Sequence, residues 1–401
     1  MSEVAHTPQL RFPEFSDNWE EKKLGNVTSI VMGQSPDSTS YNSNGIGLYL
    51  IQGNADIKKR KTLPRVWTDT PTKECKVGDI IMTVRAPVGA VAKSIHNACI
   101  GRGVCAIRNN QHSVSNYIYQ FLLSFEKKWV KFEQGSTFTA VNTKDVKSLK
   151  LILPPVQEQT KIAAFLTAVD NKIEQLSKKQ ALLGSWKKGV MLQIFSQEIR
   201  FKADDGSDFP DWEEKNIVEL AKTSIGLVTS MTPYYVDKGV PLIRNNDIFQ
   251  NKIRKEKLIR LDYEFDQLNK NRRLFTNDIV TVHTGNIGAS AVIDEELNGC
   301  QGFATLNTRI KNQNEISSSF LCWYYNSTRN IKYALSMATG DGRSNYNLKD
   351  FNKATIPVPS LPEQTKIAAF LTAADNKIEQ VGKQFDESKQ FKKALLQQMF
   401  V

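Results

Sequence analysis

The sequence has few cysteines, no long apolar run and no recognisable export signal. Its five cysteines are an odd number without a CxxC pair, so their spacing indicates neither a zinc site nor a disulfide framework. No stretch approaches the roughly 20 apolar residues of a membrane span. The segment MSEVAHTPQL lacks the charged and apolar regions of a secretory signal. We therefore expect a protein of the reducing cytoplasm without a membrane partner.

The motifs that mark several enzyme classes are also missing. The sequence has no GxxxxGKS or GxxxxGKT loop, so we do not expect ATP hydrolysis. It has neither a glycine-rich S-adenosylmethionine loop nor the Asn/Asp-Pro-Pro-aromatic element of a methyltransferase. The four histidines have no metal-ligand spacing. We expect no catalytic residue and no metal site in this chain.

One segment resembles part of a nuclease site. Pro210-Asp211-Trp212-Glu213-Glu214-Lys215 contains the PD and ExK elements of metal-dependent nucleases. In those enzymes the two elements usually lie on separate strands that converge on the metal, whereas here they overlap within a few residues. We therefore favour a structural role for the Trp-Glu-Glu-Lys motif and keep a hidden nuclease as an alternative.

Basic residues are in clear excess. The chain has 53 Lys and Arg against 42 Asp and Glu, which gives a formal net charge of +11 and a pI near 9.2. This balance favours a polyanionic partner, with nucleic acid first and an anionic membrane surface second. The 40% hydrophobic and 24% charged content is that of an ordinary globular protein.

The most informative feature is an internal repeat. Glu158–Gln175 and Glu363–Gln380 differ only at Val169 against Ala374. Their offset in this 401-residue chain is far longer than the roughly 20–50 residues of a solenoid unit. The repeat therefore indicates a duplicated unit made of a domain and a helix.

The duplication extends into the domains that precede the helices. Trp-Glu-Glu-Lys occurs near the start of each half, and Asn54-Ala55-Asp56-Ile57 corresponds to Asn245-Asn246-Asp247-Ile248. Gly78-Asp79-Ile80-Ile81 corresponds in the same way to Asn277-Asp278-Ile279-Val280, and both segments have the β-branched character of strands. Between these landmarks the halves diverge almost completely. Two different heads on one duplicated frame suit a bipartite target.

A long helix follows the prolines of each half. Apolar residues from Ile162 to Leu183, and again from Ile367 to Phe385, recur with the spacing of one helical face. Each helix could run for about 40 residues, or roughly 60 Å. A narrow apolar stripe of this kind requires a helical partner, and the other copy is the obvious one. We expect fraying or a bend at Gly184 and Gly189.

The residues around the two helix starts resemble a known family. Leu-Pro-Pro-Val-Gln-Glu-Gln-Thr-Lys-Ile (153–162) and Pro-Ser-Leu-Pro-Glu-Gln-Thr-Lys-Ile (359–367), each after a divergent domain of about 150 residues, resemble the specificity subunits of type I restriction–modification systems. The resemblance spans nearly the whole chain, twice, in the same order. It implies an α+β fold with internal pseudo-two-fold symmetry, in which two strand-rich target recognition domains (1–153 and 200–358) are joined by spacer helices (154–199 and 359–401) that form an antiparallel coiled coil.

The resemblance also implies partners. Each target recognition domain would read one half of a split site in double-stranded DNA, and the paired helices would set the gap. Two methyltransferase subunits would dock on this frame, and restriction subunits could join. The subunit itself would have no catalytic centre, so S-adenosylmethionine, ATP and Mg²⁺ would belong to those partners. A scaffold that dimerises a partner enzyme without reading sequence remains the alternative.

Candidate DNA-binding residues are of two kinds. Basic runs that follow the Asn-x-Asp-Ile landmarks are suited to phosphate contacts, and Arg, Asn and Gln in loops or at strand ends are suited to base edges. The phosphate candidates are Lys58, Lys59, Arg60, Lys61 and Arg65 in the first head and Lys252 and Arg254 in the second. The base-reading candidates are Gln52, Asn54, Arg85, Arg102 and Thr137 in the first head and Arg244, Asn245, Asn246, His283, Arg343 and Asn345 in the second.

Polar residues on the repeated helices are also duplicated. Identity at exposed positions is not required for helix pairing, so we interpret it as two equivalent surfaces for two identical partner chains. A recent duplication without selection would leave the same pattern. The partner-binding candidates are Lys161, Asn171, Lys172 and Glu174 on the first helix and Lys366, Asn376, Lys377 and Glu379 on the second.

Overall fold

The chain forms two compact units that share both long helices. The computed structural model describes residues 7–134, 140–338 and 345–401. Unit 1 comprises Met1–Lys178 and Gly382–Val401, and unit 2 comprises Lys179–Val381. Each unit therefore contains one head, part of the helix that follows that head and part of the other long helix.

The head of unit 1 is rich in short strands. Its sheets have the strand orders β2-β12-β9-β10-β6-β5, β3-β7-β4-β11-β8 and β1-β13, with the elements numbered along the chain. The strands are β1 Glu20–Lys23, β2 Thr28–Met32, β3 Tyr41–Asn42, β4 Leu48–Ile51, β5 Ile57–Lys58, β6 Lys61–Thr62, β7 Val66–Thr68, β8 Glu74–Cys75, β9 Ile80–Thr83, β10 Val91–Lys93, β11 Ala98–Ile100, β12 Val104–Asn109 and β13 Lys150–Leu153. The helices are α1 Leu24–Val27, α2 Ser115–Gln134, α3 Thr143–Ser148 and α4 Val156–Phe195.

The head of unit 2 repeats this construction with differences. Its sheets have the orders β15-β24-β21-β22, β16-β20-β17-β23, β18-β19 and β14-β25. The strands are β14 Glu213–Asn216, β15 Ala221–Ile225, β16 Tyr235–Val236, β17 Val240–Arg244, β18 Ile248–Phe249, β19 Lys252–Ile253, β20 Ile259–Leu261, β21 Ile279–Val282, β22 Ser290–Val292, β23 Gln301–Phe303, β24 Thr305–Ile310 and β25 Thr355–Val358. The helices are α5 Ile217–Leu220, α6 Tyr263–Leu268, α7 Ser318–Tyr325, α8 Thr328–Met337, α9 Leu348–Phe351 and α10 Leu361–Gln398.

The two heads use the same central pairings. In unit 1, β9 pairs antiparallel with β10 and β12, and β4 pairs parallel with β11. In unit 2, β21 pairs antiparallel with β22 and β24, and β17 pairs parallel with β23. The buried apolar residues of β9 and β21 form the middle of each core, as their near-continuous β-branched character predicts. The predicted α+β architecture is confirmed.

The long helices pack antiparallel within each unit. In unit 1, Ile162 and Leu166 of α4 share a core cluster with Leu395 of α10 and with Met399 just after it, and Lys392 forms an ion pair with Asp170. In unit 2, Met191 and Ile194 of α4 share a core cluster with Ile367 and Leu371 of α10, and Lys187 forms an ion pair with Asp375. Residue numbers rise along one helix as they fall along the other, so the predicted pairing is confirmed.

The expected fraying of α4 at its glycines is wrong. The helix continues without a break through Gly184 and Gly189 to Phe195. Met191, Ile194 and Phe195 are buried in the core of unit 2, and this packing outweighs the weak helix propensity of two glycines. Among the described residues, no helix is both long enough and apolar enough to cross a membrane.

All five cysteines are free and buried. Burial raises the pKa of the Cys105 and Cys300 thiols to about 12, because a thiolate loses its hydration in the core. The pKa values of Cys75 and Cys322 are raised for the same reason. The thiols therefore act as small apolar side chains in both units.

Candidate nucleic-acid interface

A buried carboxylate fixes the start of each long helix. The two carboxylate oxygens of Glu158 accept from Arg11 Nε at 2.7 Å and Nη2 at 2.8 Å, and Trp19 Nε1 donates to Glu158 at 3.1 Å. Glu158 is fully buried, and its hydrogen bonding with Arg11 raises the pKa of the Arg11 guanidinium. A charge without solvent contact is tolerated because these donors replace its lost hydration.

Unit 2 contains the same clamp. Glu363 accepts from Arg200 Nε at 3.1 Å and Nη2 at 2.8 Å, and Trp212 Nε1 donates to it at 3.0 Å. The tryptophans belong to the repeated Trp-Glu-Glu-Lys motif, and the residues that follow them form β1 and β14. The motif therefore has the structural role that the sequence predicts.

The glutamine after each clamp residue ties a head loop to the helix. Gln159 accepts from the Val114 amide at 2.9 Å and donates to the Pro154 carbonyl at 2.8 Å. Gln364 accepts from the Ser317 amide at 2.8 Å and donates to the Pro359 carbonyl at 2.8 Å. The repeated Glu-Gln pair thus supports the frame.

The basic hairpin of the first head mixes paired and unpaired cations. Lys58 and Lys59 are exposed and form no ion pair with any described residue. Arg60 Nη2 contacts Glu126 at 2.9 Å, Lys61 Nζ contacts Glu174 at 3.3 Å, and Arg65 Nε contacts Asp56 at 3.3 Å. Lys58 and Lys59 are therefore the members of this run most available to phosphate.

In the second head, the corresponding region lines an open groove of about 810 Å³. Arg254 donates to the Asn246 carbonyl at 3.0 Å, lies 3.4 Å from Asp247 and sits over the Phe249 ring at 5.6 Å. Four cations outnumber two carboxylates along the walls, which favours an anionic ligand. The lining residues are Arg244, Asp247, Phe249, Lys252, Arg254, Glu256 and Lys257.

One ion pair between head and helix is duplicated. Lys252 Nζ contacts Glu379 at 2.7 Å, as Lys61 contacts Glu174 in unit 1. The two lysines occupy the same position of the β18–β19 and β5–β6 hairpins. The lysine lowers the pKa of Glu379, and Lys178 together with Lys61 lowers that of Glu174. All four side chains are exposed, so each pair contributes little stability.

Among residues 7–134 and 140–153, the base-reading candidates of the first head do not form one network. Gln52 Nε2 lies 3.3 Å from the Tyr41 hydroxyl, and Asn54 opens a short 3-10 helix. Arg85 follows β9 and is bridged to Ala140, and Arg102 is exposed in the turn after β11. Thr137 lies outside the described residues.

The second head brings several candidates together at strand ends. Asn245 Nδ2 donates to Thr284 Oγ1 at 3.0 Å, and His283 Nδ1 lies 2.7 Å from Asn345 Oδ1. Thr284 and Asn345 also form a backbone bridge. Arg244 contacts Asp247 at 3.2 Å and Asn246 is exposed next to this network, whereas Arg343 lies outside the described residues.

Sequence reasoning missed Thr284 as a member of this network. It directly follows His283 at the end of β21, and a polar residue at a strand end was the signal available. A metal centre is not indicated, because no group of three His, Cys, Asp or Glu side chains suited to a metal occurs among residues 7–134, 140–338 and 345–401.

Comparison with protein families decides the identity. The family described as Type I restriction modification DNA specificity domain matches residues 16–183 and again residues 210–385. The chain belongs to this family. Both matches include the tryptophan and glutamate of the clamp, the hairpin and the first turns of a long helix, whereas the clamp arginines Arg11 and Arg200 precede the matched ranges. The duplicated frame described above therefore lies largely within the specificity domain.

Individual relatives agree with the family. A putative type I restriction enzyme MjaX specificity subunit of Methanocaldococcus jannaschii is 38% identical over 192 residues, which are 47% of this chain and 45% of the relative. The MjaVIII specificity subunit of the same organism is 22% identical over 96% of this chain and 92% of its own length. The crystal structure of a type I restriction–modification S subunit from M. genitalium has a TM-score of 0.62 at 17% identity and covers 98% of this chain and 99% of its own.

Several of the candidate residues on the long helices contact their own unit. Lys161 Nζ lies 2.9 Å from Glu14, and Lys366 Nζ lies 2.6 Å from Asp204. Glu174 and Glu379 accept from the hairpin lysines, and Lys377 donates to Gln380 at 3.2 Å. Asn171, Lys172 and Asn376 are exposed without a hydrogen bond to any described residue.

Proposed function

We propose that this chain is a DNA specificity subunit whose two heads each read one half of a bipartite site. One observation carries the proposal: the hydrogen-bonded frame is the same in both units, whereas the polar residues at the ends of the central strands differ. A shared frame keeps the fold, and different strand-end residues suit different base sequences.

The surface charge supports a DNA ligand. The chain has a formal charge of +11, with exposed cations on the hairpin of the first head and along the groove of the second. Contacts of this kind provide affinity that falls with salt, while sequence choice requires contacts to base edges. Both kinds of side chain occur in each head.

The paired helices suit two further roles. They would set the gap between the half-sites, and their duplicated exposed residues would dock two identical methyltransferase subunits, with restriction subunits in the complete complex. Asn171 and Lys172, with Asn376 and Lys377, are the best candidates for docking because Lys161, Glu174, Lys366 and Glu379 already contact their own unit. S-adenosylmethionine, ATP and Mg²⁺ would be bound by the partners, and the complex would act in the cytoplasm.

The test is single-molecule methylation sequencing of host DNA. The chain and its methyltransferase partner are expressed together in an unmethylated background, and assembly is checked by co-purification. A split motif with a fixed gap is expected. An assembled complex that methylates without any motif would overturn the proposal in favour of a scaffold that dimerises the enzyme without reading sequence. Magnesium-dependent cleavage by the isolated chain would favour a hidden nuclease.

A further inference from the structure

The strand-end network of the second head has no counterpart among the described residues of the first. The backbone positions correspond closely: the Tyr346 amide donates to the His283 carbonyl at 2.9 Å, as the Val141 amide donates to the Val84 carbonyl at 2.8 Å. The bridge between Thr284 and Asn345 corresponds to the one between Arg85 and Ala140. His283 and Asn345 therefore occupy the positions of Val84 and Ala140.

The frame itself does not need polar side chains at these positions. Val84 is buried in the first head with no polar atom to satisfy. In the second head, His283 is 8% exposed, and its Nε2 has no hydrogen bond to any described residue. Asn245 Oδ1 is also buried and has no hydrogen bond to any described residue. A buried polar atom without a partner lowers stability, so its presence where an apolar residue fits indicates a function.

The hydrogen bond of His283 holds the exposed amide of Asn345 in place. His283 Nδ1 lies 2.7 Å from Asn345 Oδ1 and donates to it in the Nδ1–H tautomer. In the other tautomer, with the amide turned over, Nδ1 would accept from the Asn345 NH₂ group, so a hydrogen bond holds the amide in either arrangement. Asn345 is exposed, and its Nδ2 makes no hydrogen bond to a described residue. In either arrangement the amide keeps a free N–H and a free oxygen lone pair, so a donor–acceptor edge faces solvent.

We propose that Asn345 reads an adenine in the half-site bound by the second head and that His283 is its positioning residue. Adenine presents the N6 amino donor beside the N7 acceptor in the major groove, and an asparagine amide matches this pair with Oδ1 and Nδ2. The proposal rests on the proposed function, since it names one base that the second head would recognise.

The experiment uses the assembled complex and reads both the methylation motif and DNA affinity. Asn345→Ala is expected to relax one adenine position in one half-site only and to weaken binding of the cognate DNA by about ten- to a hundred-fold. Non-specific affinity should not change. Ala140 shows that the frame accepts alanine at this position, and Asn314→Ala is a matched control on the same head.

Substitutions of His283 separate positioning from simple packing. The nitrogen of an asparagine side chain lies near the position of imidazole Nδ1, so His283→Asn should restore the bond to Asn345 and retain the adenine. His283→Val and His283→Gln lack a hydrogen-bonding atom at that position and should relax the same adenine as Asn345→Ala. His283→Val should not lower the thermal stability of unit 2, because valine is buried at the corresponding position of unit 1.

The outcomes distinguish the two proposals. If the wild-type complex gives no split motif, the proposed function fails. If it does give one, an unaltered motif in Asn345→Ala, relaxation at a base other than adenine, or equal impairment of His283→Asn and His283→Val would each overturn the assignment to Asn345 and His283.

Discussion

The two units contain the same ion pair between the long helices, but different side chains surround it. In unit 1, Asp170 accepts from Gln120 of α2 at 2.7 Å as well as from Lys392. In unit 2, Lys187 corresponds to Lys392. It pairs with Asp375 and lies 5.2 Å from the Trp323 ring. The ion pair is kept while its surroundings change from an amide to an aromatic ring.

The helices of the heads differ in the same way. α2 is one helix of 20 residues, whereas unit 2 has α7 and α8, separated at Asn326 and Ser327. Asn326 exchanges two hydrogen bonds with the backbone of Ser290, at 3.0 and 2.8 Å, and so ties the break to β22. Divergence is therefore accepted inside the heads, while the clamp, the hairpin and the helix ion pair are retained. The molecule therefore consists of a repeated frame and two heads whose interiors differ.

We expect the largest effect from changes in the register of α4 against α10. The spacing from Asp170 to Lys187 along α4 equals that from Asp375 to Lys392 along α10. Four residues inserted near Lys178 lengthen α4 alone by about 6 Å, so only one ion pair can keep its register. We expect poor complex assembly. A matched second insertion near Gln384 should restore assembly and lengthen the gap while both half-sites stay the same.

Methylation sequencing of the doubly extended chain measures this directly. An unchanged gap in an assembled complex would show that the helices do not set it, and normal assembly with the single insertion would show that register is not required.

Substitutions in the two clamps test whether each unit is stabilised by its own clamp. Glu158→Ala leaves the largely buried Arg11 without its carboxylate and should destabilise unit 1 by about 3–5 kcal/mol. Glu363→Ala should do the same to unit 2. Hydrogen exchange measured by mass spectrometry should show lost protection in the unit that carries the change. Equal loss of protection in both units would contradict the assignment of one clamp to each unit. Lys150→Ala, an exposed change on β13 of unit 1, serves as the control.

The two hairpins differ in exposed charge, so we expect them to contribute differently to the salt dependence of DNA affinity. This effect is smaller than the preceding ones. Lys58 and Lys59 of the first head correspond to Phe249 and Gln250 of the second. Replacing both lysines by glutamine should reduce the slope of log K against log salt by about 2, since each phosphate contact contributes about 0.9. Lys61→Gln should change it less, because Lys61 already contacts Glu174. A slope unaffected by the double change would remove this hairpin from the DNA surface.

The sequence predicts the frame better than the heads. The repeat, the helix stripe and the strand landmarks predict a duplicated unit of a strand-bearing head and a long helix, because they rest on periodicity and identity. The α+β class and the antiparallel direction of the helices followed from the resemblance to the specificity subunits. The fraying expected at Gly184 and Gly189 was wrong, since propensity does not include the burial of Met191 and Phe195.

Individual contacts could not be predicted because they depend on distant parts of the chain. The sequence predicts Lys61 as a DNA contact and Glu174 as a partner contact, whereas the structure places the two side chains 3.3 Å apart. The Arg11–Glu158 pair joins residues far apart in sequence, and no local pattern indicates it. His283 and Asn345 were both selected from their residue types, but their hydrogen bond follows only from the bridge between Thr284 and Asn345.

The buried cysteines make this protein convenient for measurements of motion. The thiols of both units lie in the cores, and the raised pKa values of Cys105 and Cys300 keep them protonated near neutral pH. A cysteine introduced at exposed Ile46 and another at exposed Tyr263 would therefore react first with a maleimide dye. One fluorophore on each recognition domain would then report, in a single molecule, whether the distance between the domains changes when DNA binds.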